Sequence, residues 1–142
     1  MKDQNYSNHR RFVPAYHFFT LLGSLILVIG SIVNLVKTSN EGLYSASLIT
    51  FGSILLLFTA FFARIFSLKA QHRVIRAEEN FRYFLLTKKT LPKELTMRQI
   101  VGLRFASDEE FPALIEKAVK EKMNENDIKK SIKTWRGDFY RV

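Results

Sequence analysis

Two long apolar runs near the start of the chain constrain its fold more than any other feature. Residues 15–36 and residues 43–63 contain no charged side chain, and only six residues separate the two runs. As a helix, each run would be about 32 Å long, which matches a hydrocarbon core of about 30 Å. Six residues cannot recross a bilayer, so the sequence predicts two antiparallel neighbours, a transmembrane hairpin.

Two alternatives to this hairpin fit the sequence less well. A cleaved signal peptide has an apolar region of about 7–15 residues followed by a small-residue cleavage site, whereas the first run is longer and ends in Asn34-Leu35-Val36-Lys37. Long helices of soluble proteins keep a polar face, and neither run has one. We therefore favour two membrane-spanning helices.

The rest of the chain divides around these spans, and the whole is predicted to be an all-α membrane protein. The predicted parts are an N-terminal segment (1–14), transmembrane helix 1 (15–36), a short external loop (37–42), transmembrane helix 2 (43–63), a basic juxtamembrane helix (64–93) and a small cytoplasmic three-helix module (94–142). Basic residues lie outside the far ends of the spans, whereas the loop has only Lys37, which is opposed by Glu41. Because cytoplasmic segments carry the excess of Lys and Arg, both ends are predicted to be cytoplasmic.

Small and polar side chains recur within each span and predict how the helices pack. They are Gly23, Gly30 and Asn34 in the first span, and Ala46, Thr50, Ser53 and Ala60 in the second. Small residues allow close backbone approach, and buried hydroxyl groups can form hydrogen bonds between helices. We interpret these faces as the packing seam of the hairpin, and a role in homo-oligomers stays open.

A further apolar pattern continues beyond the second span. Residues 64–89 contain neither Gly nor Pro, and apolar side chains recur at spacings of three and four: Phe66, Ala70, Val74, Ala77, Phe81 and Leu85. We call these six residues the apolar stripe. Their spacing predicts one long helix that leaves the bilayer and ends before Pro92. We expect the distal helices to pack against the stripe.

Positive charge is concentrated next to the predicted membrane surface. Residues 64–93 carry a net charge of +6, and residues 94–142 carry +1. Anionic headgroups attract such residues by about 1 kcal/mol each, and the expected headgroup contacts are Arg10, Arg11, Arg64, Lys69, Arg73 and Arg76. The nearly neutral module argues against DNA binding, and a ribosome or RNA contact is the less favoured alternative.

Capping patterns predict three helix starts in the distal module. Thr96 with Gln99 and Ser107 with Glu110 both match a capping box, in which side chains bind the free backbone N–H groups of the first turn. Asn126 is the predicted cap of the third helix, and Gly137 its end. About fifty residues without cysteine make a small core, so we expect these helices to close on one another with Trp135 inside.

Few side chains suggest catalysis. His9, His17 and His72 all fall near the predicted cytoplasmic interface, but their spacing matches no metal-ligand motif. The chain has no cysteine, no phosphate-binding loop, no Gly-x-Ser-x-Gly and no His-Glu-x-x-His. The sequence predicts no enzyme and no cofactor.

Two blocks of sequence together carry a resemblance to a known family. The first is Gln4-Asn5-Tyr6-Ser7-Asn8-His9-Arg10-Arg11-Phe12-Val13-Pro14, and the second includes Arg98-Gln99-Ile100, Leu103-Arg104-Phe105-Ala106-Ser107-Asp108-Glu109-Glu110 and Trp135. They resemble a family of small bacterial two-span membrane proteins classed as a domain of unknown function. The resemblance covers almost the whole chain and implies a bacterial inner-membrane location. It implies no activity and assigns no functional residue.

The two blocks also suggest an internal contact, because the first is basic around Arg10 and Arg11 and the second is acidic at Asp108, Glu109 and Glu110. We expect the first to dock onto the second. The favoured function is a membrane-anchored scaffold or accessory subunit that binds a protein partner through its cytoplasmic helices. The alternative is an envelope protein that acts on anionic membrane lipids.

Overall fold

The computed structural model describes residues 4–9 and 12–139, which fold almost entirely into helices. The helices are α1 (Ala15–Lys37), α2 (Leu43–Thr87), α3 (Met97–Leu103), α4 (Phe111–Lys120) and α5 (Glu125–Ser131). The first part of α1, Ala15–Leu22, is π-helical, and a 3₁₀ turn, Asn40–Gly42, precedes α2. Within the described ranges there is no strand, only an isolated β-bridge between Ala106 and Trp135. The prediction of an all-helical chain is confirmed.

The chain forms two compact units. The hairpin unit is Arg11–Leu68, and the second unit, which we call the module, combines Met1–Arg10 with Lys69–Val142. The module thus contains the end of α2 and the described residues 4–9, in addition to the region after residue 93.

In the hairpin unit, α1 and the first part of α2 are long and apolar enough to cross a membrane. Their most apolar windows have mean hydropathies of 2.3 and 2.1. The predicted face of α2 is confirmed, because Ala46, Thr50, Ser53 and Ala60 are all buried.

The predicted packing face of α1 is wrong. Gly23, Gly30 and Asn34 are exposed, and a Cβ atom added at either glycine would meet nothing within 4 Å. Ser24 and Ser31 are buried instead. The hydroxyl groups of Ser31 and Ser53 lie 2.9 Å apart, and the Thr50 hydroxyl shares its proton between the Ser31 carbonyl at 3.1 Å and the Ala46 carbonyl at 2.9 Å. Hydroxyl hydrogen bonds rather than glycine contacts therefore define this seam.

α2 is one continuous helix, as predicted, but it ends at Thr87, five residues before Pro92. Lys88 adopts a left-handed conformation (φ 59°), and its N–H donates to the Phe84 carbonyl at 2.8 Å. This is a common way to end a helix, and it allows the chain to turn back toward α3.

The core of the module lies around α3, α4 and α5. Its largest fully buried side chains are Phe105, Phe111, Ile100, Leu103, Ile115 and Ile128. At Gly102 a Cβ atom would lie 3.1 Å from the Glu125 carbonyl oxygen, so the absence of a side chain lets α3 approach α5 closely. Trp135 packs against this core and is only partly buried.

One of the three predicted helix caps is confirmed. Thr96 and Gln99 form the reciprocal bonds of a capping box. Glu110 forms no such box with Ser107, because its carboxylate binds other backbone groups (see below), and α4 begins at Phe111. The cap of α5 is Asn124, not Asn126, and the helix ends at Ser131, well before Gly137.

The face of α2 that packs in the module is not the apolar stripe. The buried residues of α2 in this region are Ile75, Glu79, Arg82 and Tyr83, whereas all six residues of the stripe are exposed. Both sets recur at spacings of three and four, so periodicity alone does not distinguish them. The expectation that the distal helices cover the stripe is therefore wrong.

Candidate interaction surface

Arg82 fixes the orientation of α2 in the module. Its guanidinium donates from Nε to Asp108 Oδ1 at 2.6 Å, from Nη1 to Glu79 Oε2 at 3.1 Å and from Nη2 to the Ala106 carbonyl at 2.7 Å. The same group lies 4.2 Å from the centroid of the Phe111 ring, a cation–π contact. These contacts hold one face of α2 against the start of α4, and the opposite face points to solvent.

Glu79 is a buried acid within this arrangement. Burial raises the pKa of Glu79, and the positive charge of Arg82 offsets the rise only in part. A charged group taken out of water needs a partner, and Arg82 supplies it through a salt bridge. Glu79 and Arg82 therefore act as one structural unit.

The acidic residues before α4 are engaged within the module. Asp108 binds Arg82, and Glu110 accepts backbone N–H groups of Lys133 and Thr134, both at 3.1 Å. The Ser107 hydroxyl lowers the pKa of Glu109, which is fully exposed. Arg10 and Arg11 lie outside the described residues, so the docking of this basic pair on the three acids stays a prediction.

The described N-terminal residues nevertheless contact the rest of the module, through side chains that the sequence did not single out for this. The carboxamide of Gln4 accepts the Asp138 N–H at 2.8 Å. The His9 ring is buried and lies 5.8 Å from the Phe105 ring and 5.7 Å from the Trp135 ring, between centroids. Contacts between residues so far apart in the sequence leave no local sequence signal.

Each ring nitrogen of His9 lies within hydrogen-bond distance of a polar group. Nδ1 lies 2.7 Å from the Tyr6 carbonyl, which can only accept, and Nε2 lies 3.3 Å from Lys129 Nζ, which donates. This geometry fits the tautomer with its proton on Nδ1, which leaves Nε2 to accept from Lys129. Lys129 is itself buried and paired with Glu125 at 2.6 Å.

His9, His17 and His72 were considered above as possible metal ligands. Among the described residues, no three His, Cys, Asp or Glu side chains group as metal ligands. His17 instead donates from Nδ1 to the Val13 carbonyl at 2.8 Å and stacks on Phe12.

The predicted headgroup-binding residues of α2 are largely open to solvent. Arg64 is half-buried, with its guanidinium 5.8 Å from the centroid of the Tyr16 ring, whereas Lys69, Arg73 and Arg76 are exposed. Within residues 4–9 and 12–139, none of these four makes a salt bridge. Arg73 and Arg76 line an open groove of about 510 Å³ with Ala77, Asn80 and Leu91.

The exposed apolar face of α2 is the most distinctive surface of the module. Val74, Phe81 and Phe84 are 55%, 62% and 44% exposed, and Ala77 is exposed between them. We call these four residues the outer face. The predicted apolar stripe included three of them and omitted Phe84. Large apolar side chains grouped on a surface indicate an interaction site.

Comparison with known proteins gives a family but no activity. Residues 1–142 match the model of a family of unknown function (DUF6526), and the chain belongs to that family. No curated protein and no solved structure matches it.

Proposed function

We propose that this member of the DUF6526 family is a two-span protein of the bacterial cytoplasmic membrane that holds its module at the cytoplasmic face and binds a protein there. In the apolar windows of the two long helices, only 11% and 22% of the residues are buried. A core helix of a soluble protein would be mostly buried, so lipid is the natural cover for these side chains.

The contacts between the two ends of the chain support a two-span topology. Gln4 binds Asp138, and His9 packs on Trp135. These pairs require both ends to be on the same side of a membrane, which an even number of spans between them provides. The excess of basic residues outside the spans favours the cytoplasmic side.

The outer face of α2 carries the proposal of protein binding. Val74 comes eleven positions after Ala63, the last residue of the predicted span, and charged residues lie before and within the outer face in the sequence. The outer face is therefore not part of the uncharged run that lipid would cover, and the module leaves it exposed. A protein surface is then the remaining apolar cover.

Single cysteines test the topology, because the chain has none of its own. We expect Ser39→Cys to react with a membrane-impermeant maleimide in intact spheroplasts, and Lys133→Cys to react only after the membrane is opened. The opposite pattern, or extraction of the protein from membranes by alkaline carbonate, would contradict the proposal.

Site-specific photo-crosslinking tests the outer face. We expect a photoreactive phenylalanine in place of Phe81 to give a protein adduct in membranes. The matched control is the same group in place of Glu116, which is exposed on α4. If Phe81 gives no protein adduct, or if both positions react equally, protein binding through the outer face is wrong.

A lipid-binding role is the second candidate, and the absence of salt bridges from Lys69, Arg73 and Arg76 within the described residues favours it. Purified full-length protein should then retain anionic lipid in mild detergent, and the triple change of these residues to Gln should release it. Retention should fall as salt rises, because salt screens exposed charges. Equal retention by the triple variant would contradict this role.

A further inference from the structure

The outer face of α2 has the spacing of a coiled-coil seam. Val74, Ala77, Phe81 and Phe84 follow one another at intervals of three, four and three, which are the a and d positions of a heptad. The seam is open over its full length, since all four residues are exposed. A helix with an a/d seam packs against another helix that presents the same spacing.

The flanks of the seam carry opposite charges in a specific register. Arg73 occupies a g position and Glu78 an e position, five residues later. Both are exposed, and neither makes a salt bridge within the described residues. In a parallel two-stranded coiled coil, each g residue faces the e residue five positions later on the other strand. Arg73 of one copy would therefore face Glu78 of the other.

A shared membrane restricts the orientation in which two such helices meet. Copies with the same topology in one bilayer have their α2 helices parallel. This is the orientation in which the flanking charges attract, and copies of the same topology cannot place their α2 helices antiparallel. Confinement to the membrane also raises the local concentration of the second copy, which helps a seam of only about two heptads.

We propose that the outer face of α2 binds the same face of a second copy of this chain, in a parallel two-helix coiled coil over residues 73–85. Arg73 of each copy pairs with Glu78 of the other, across a seam of Val74, Ala77, Phe81 and Phe84. This inference rests on the proposed function, since it names the partner of the surface described there. In a single chain the four seam residues are exposed, so their heptad spacing and flanking charges have no partner helix.

Charge reversal with a disulfide reporter tests the dimer. In membranes containing the full-length chain with Ala77→Cys, mild oxidation should give a covalent dimer, because facing d positions lie close together. Adding Arg73→Glu or Glu78→Arg should lower the yield at least threefold, because each places like charges across the seam. The double reversal Arg73→Glu with Glu78→Arg should restore it.

Two controls separate loss of the dimer from loss of the fold. Glu116→Cys, on the exposed face of α4, should give no dimer, and the fluorescence of the single Trp135 should be unchanged in all the charge variants. Single reversals without effect, or a double reversal weaker than either single one, would overturn the proposal.

The Phe81 photo-crosslink distinguishes this proposal from the proposed function. An adduct of twice the mass of the chain supports both. An adduct with a different protein overturns the dimer and leaves protein binding in place, and an adduct with lipid alone overturns both.

Discussion

Arg82, near the end of α2, donates a 2.6 Å hydrogen bond to Asp108, which lies three residues before the start of α4. The contact joins the helix that leaves the hairpin unit to the part of the module with the largest buried side chains. Because Asp108 is 62% exposed, water screens its attraction to Arg82, and this pair alone contributes little. Arg82 also binds two buried groups, the Glu79 carboxylate and the Ala106 carbonyl. These two contacts account for most of the stability that Arg82 contributes.

Removing Arg82 should therefore destabilise the module. We expect Arg82→Ala to lower the free energy of unfolding by about 3–5 kcal/mol, because it leaves the Glu79 carboxylate and a buried carbonyl without their partner. Urea unfolding of full-length protein in mild detergent, followed by Trp135 fluorescence, measures this. Arg98→Ala is the matched control, since Arg98 is exposed and no described acid pairs with it. Equal effects of the two changes would contradict the prediction.

The burial of Glu79 predicts the sign of a pH dependence. Because the pKa of Glu79 is raised above 4.5 in the folded protein, the folded state holds its proton at a higher pH than the unfolded state. Glu79 therefore makes the protein less stable as pH rises above 4.5, until the carboxyl is ionised in both states.

The variant Glu79→Gln isolates this effect because it cannot ionise. We expect the difference in unfolding free energy between the native protein and Glu79→Gln to shift against the native protein as pH rises above 4.5. Unfolding curves at several pH values measure it. A difference that moves in the opposite direction would show that the salt bridge with Arg82 outweighs desolvation.

The His9 ring should contribute to the stability of the module, because it packs between Phe105 and Trp135. We expect His9→Ala to lower the free energy of unfolding by about 1–3 kcal/mol, because the ring fills space between Phe105 and Trp135. Trp135 emission should also shift to longer wavelength as water gains access. Ser7→Ala, at an exposed position, should change neither quantity, and an effect as large as that of His9→Ala would contradict the assignment.

The end of α4 offers a stabilising substitution. The N–H of Met123 donates to the Ala118 carbonyl and that of Lys122 to Val119, which together form a Schellman motif with Lys122 at φ 48°. We expect Lys122→Gly to raise the free energy of unfolding by about 1 kcal/mol, because glycine adopts this conformation without strain.

The same substitution inside the helix should act in the opposite direction. Lys117→Gly, at an exposed helical position, should lower the free energy of unfolding by about 1 kcal/mol. A loss of stability from Lys122→Gly, measured in the same way, would contradict the strain argument.

The sequence predicted the helices better than their packing. Uncharged runs identified both long helices, and the lack of Gly and Pro after Ala63 predicted that α2 continues without a break. The seam on α1 was missed because glycine and serine are both small, and their spacing along α1 does not show which of them faces α2. The hydroxyl groups of Ser31 and Ser53 decide it, and their pairing is a property of the assembled hairpin.

The candidate surface was predicted only in part, for a related reason. Val74 and Phe81 were recognised as one apolar face, but an amphipathic helix is normally expected to bury that face. Here the buried side includes Glu79 and Arg82, which can enter the module only because each neutralises the other. The two residues are neighbours on α2, but the further partners of Arg82, Asp108 and the Ala106 carbonyl, lie on a distant segment that spacing along one helix does not reveal.

The hydrogen bond between Gln4 and Asp138 has a consequence for the order of synthesis. Its partners are 134 residues apart, so nearly the whole chain must leave the ribosome before the contact can form. Gln4 is thus synthesised long before its partner exists, and its carboxamide must stay accessible until Asp138 has been made.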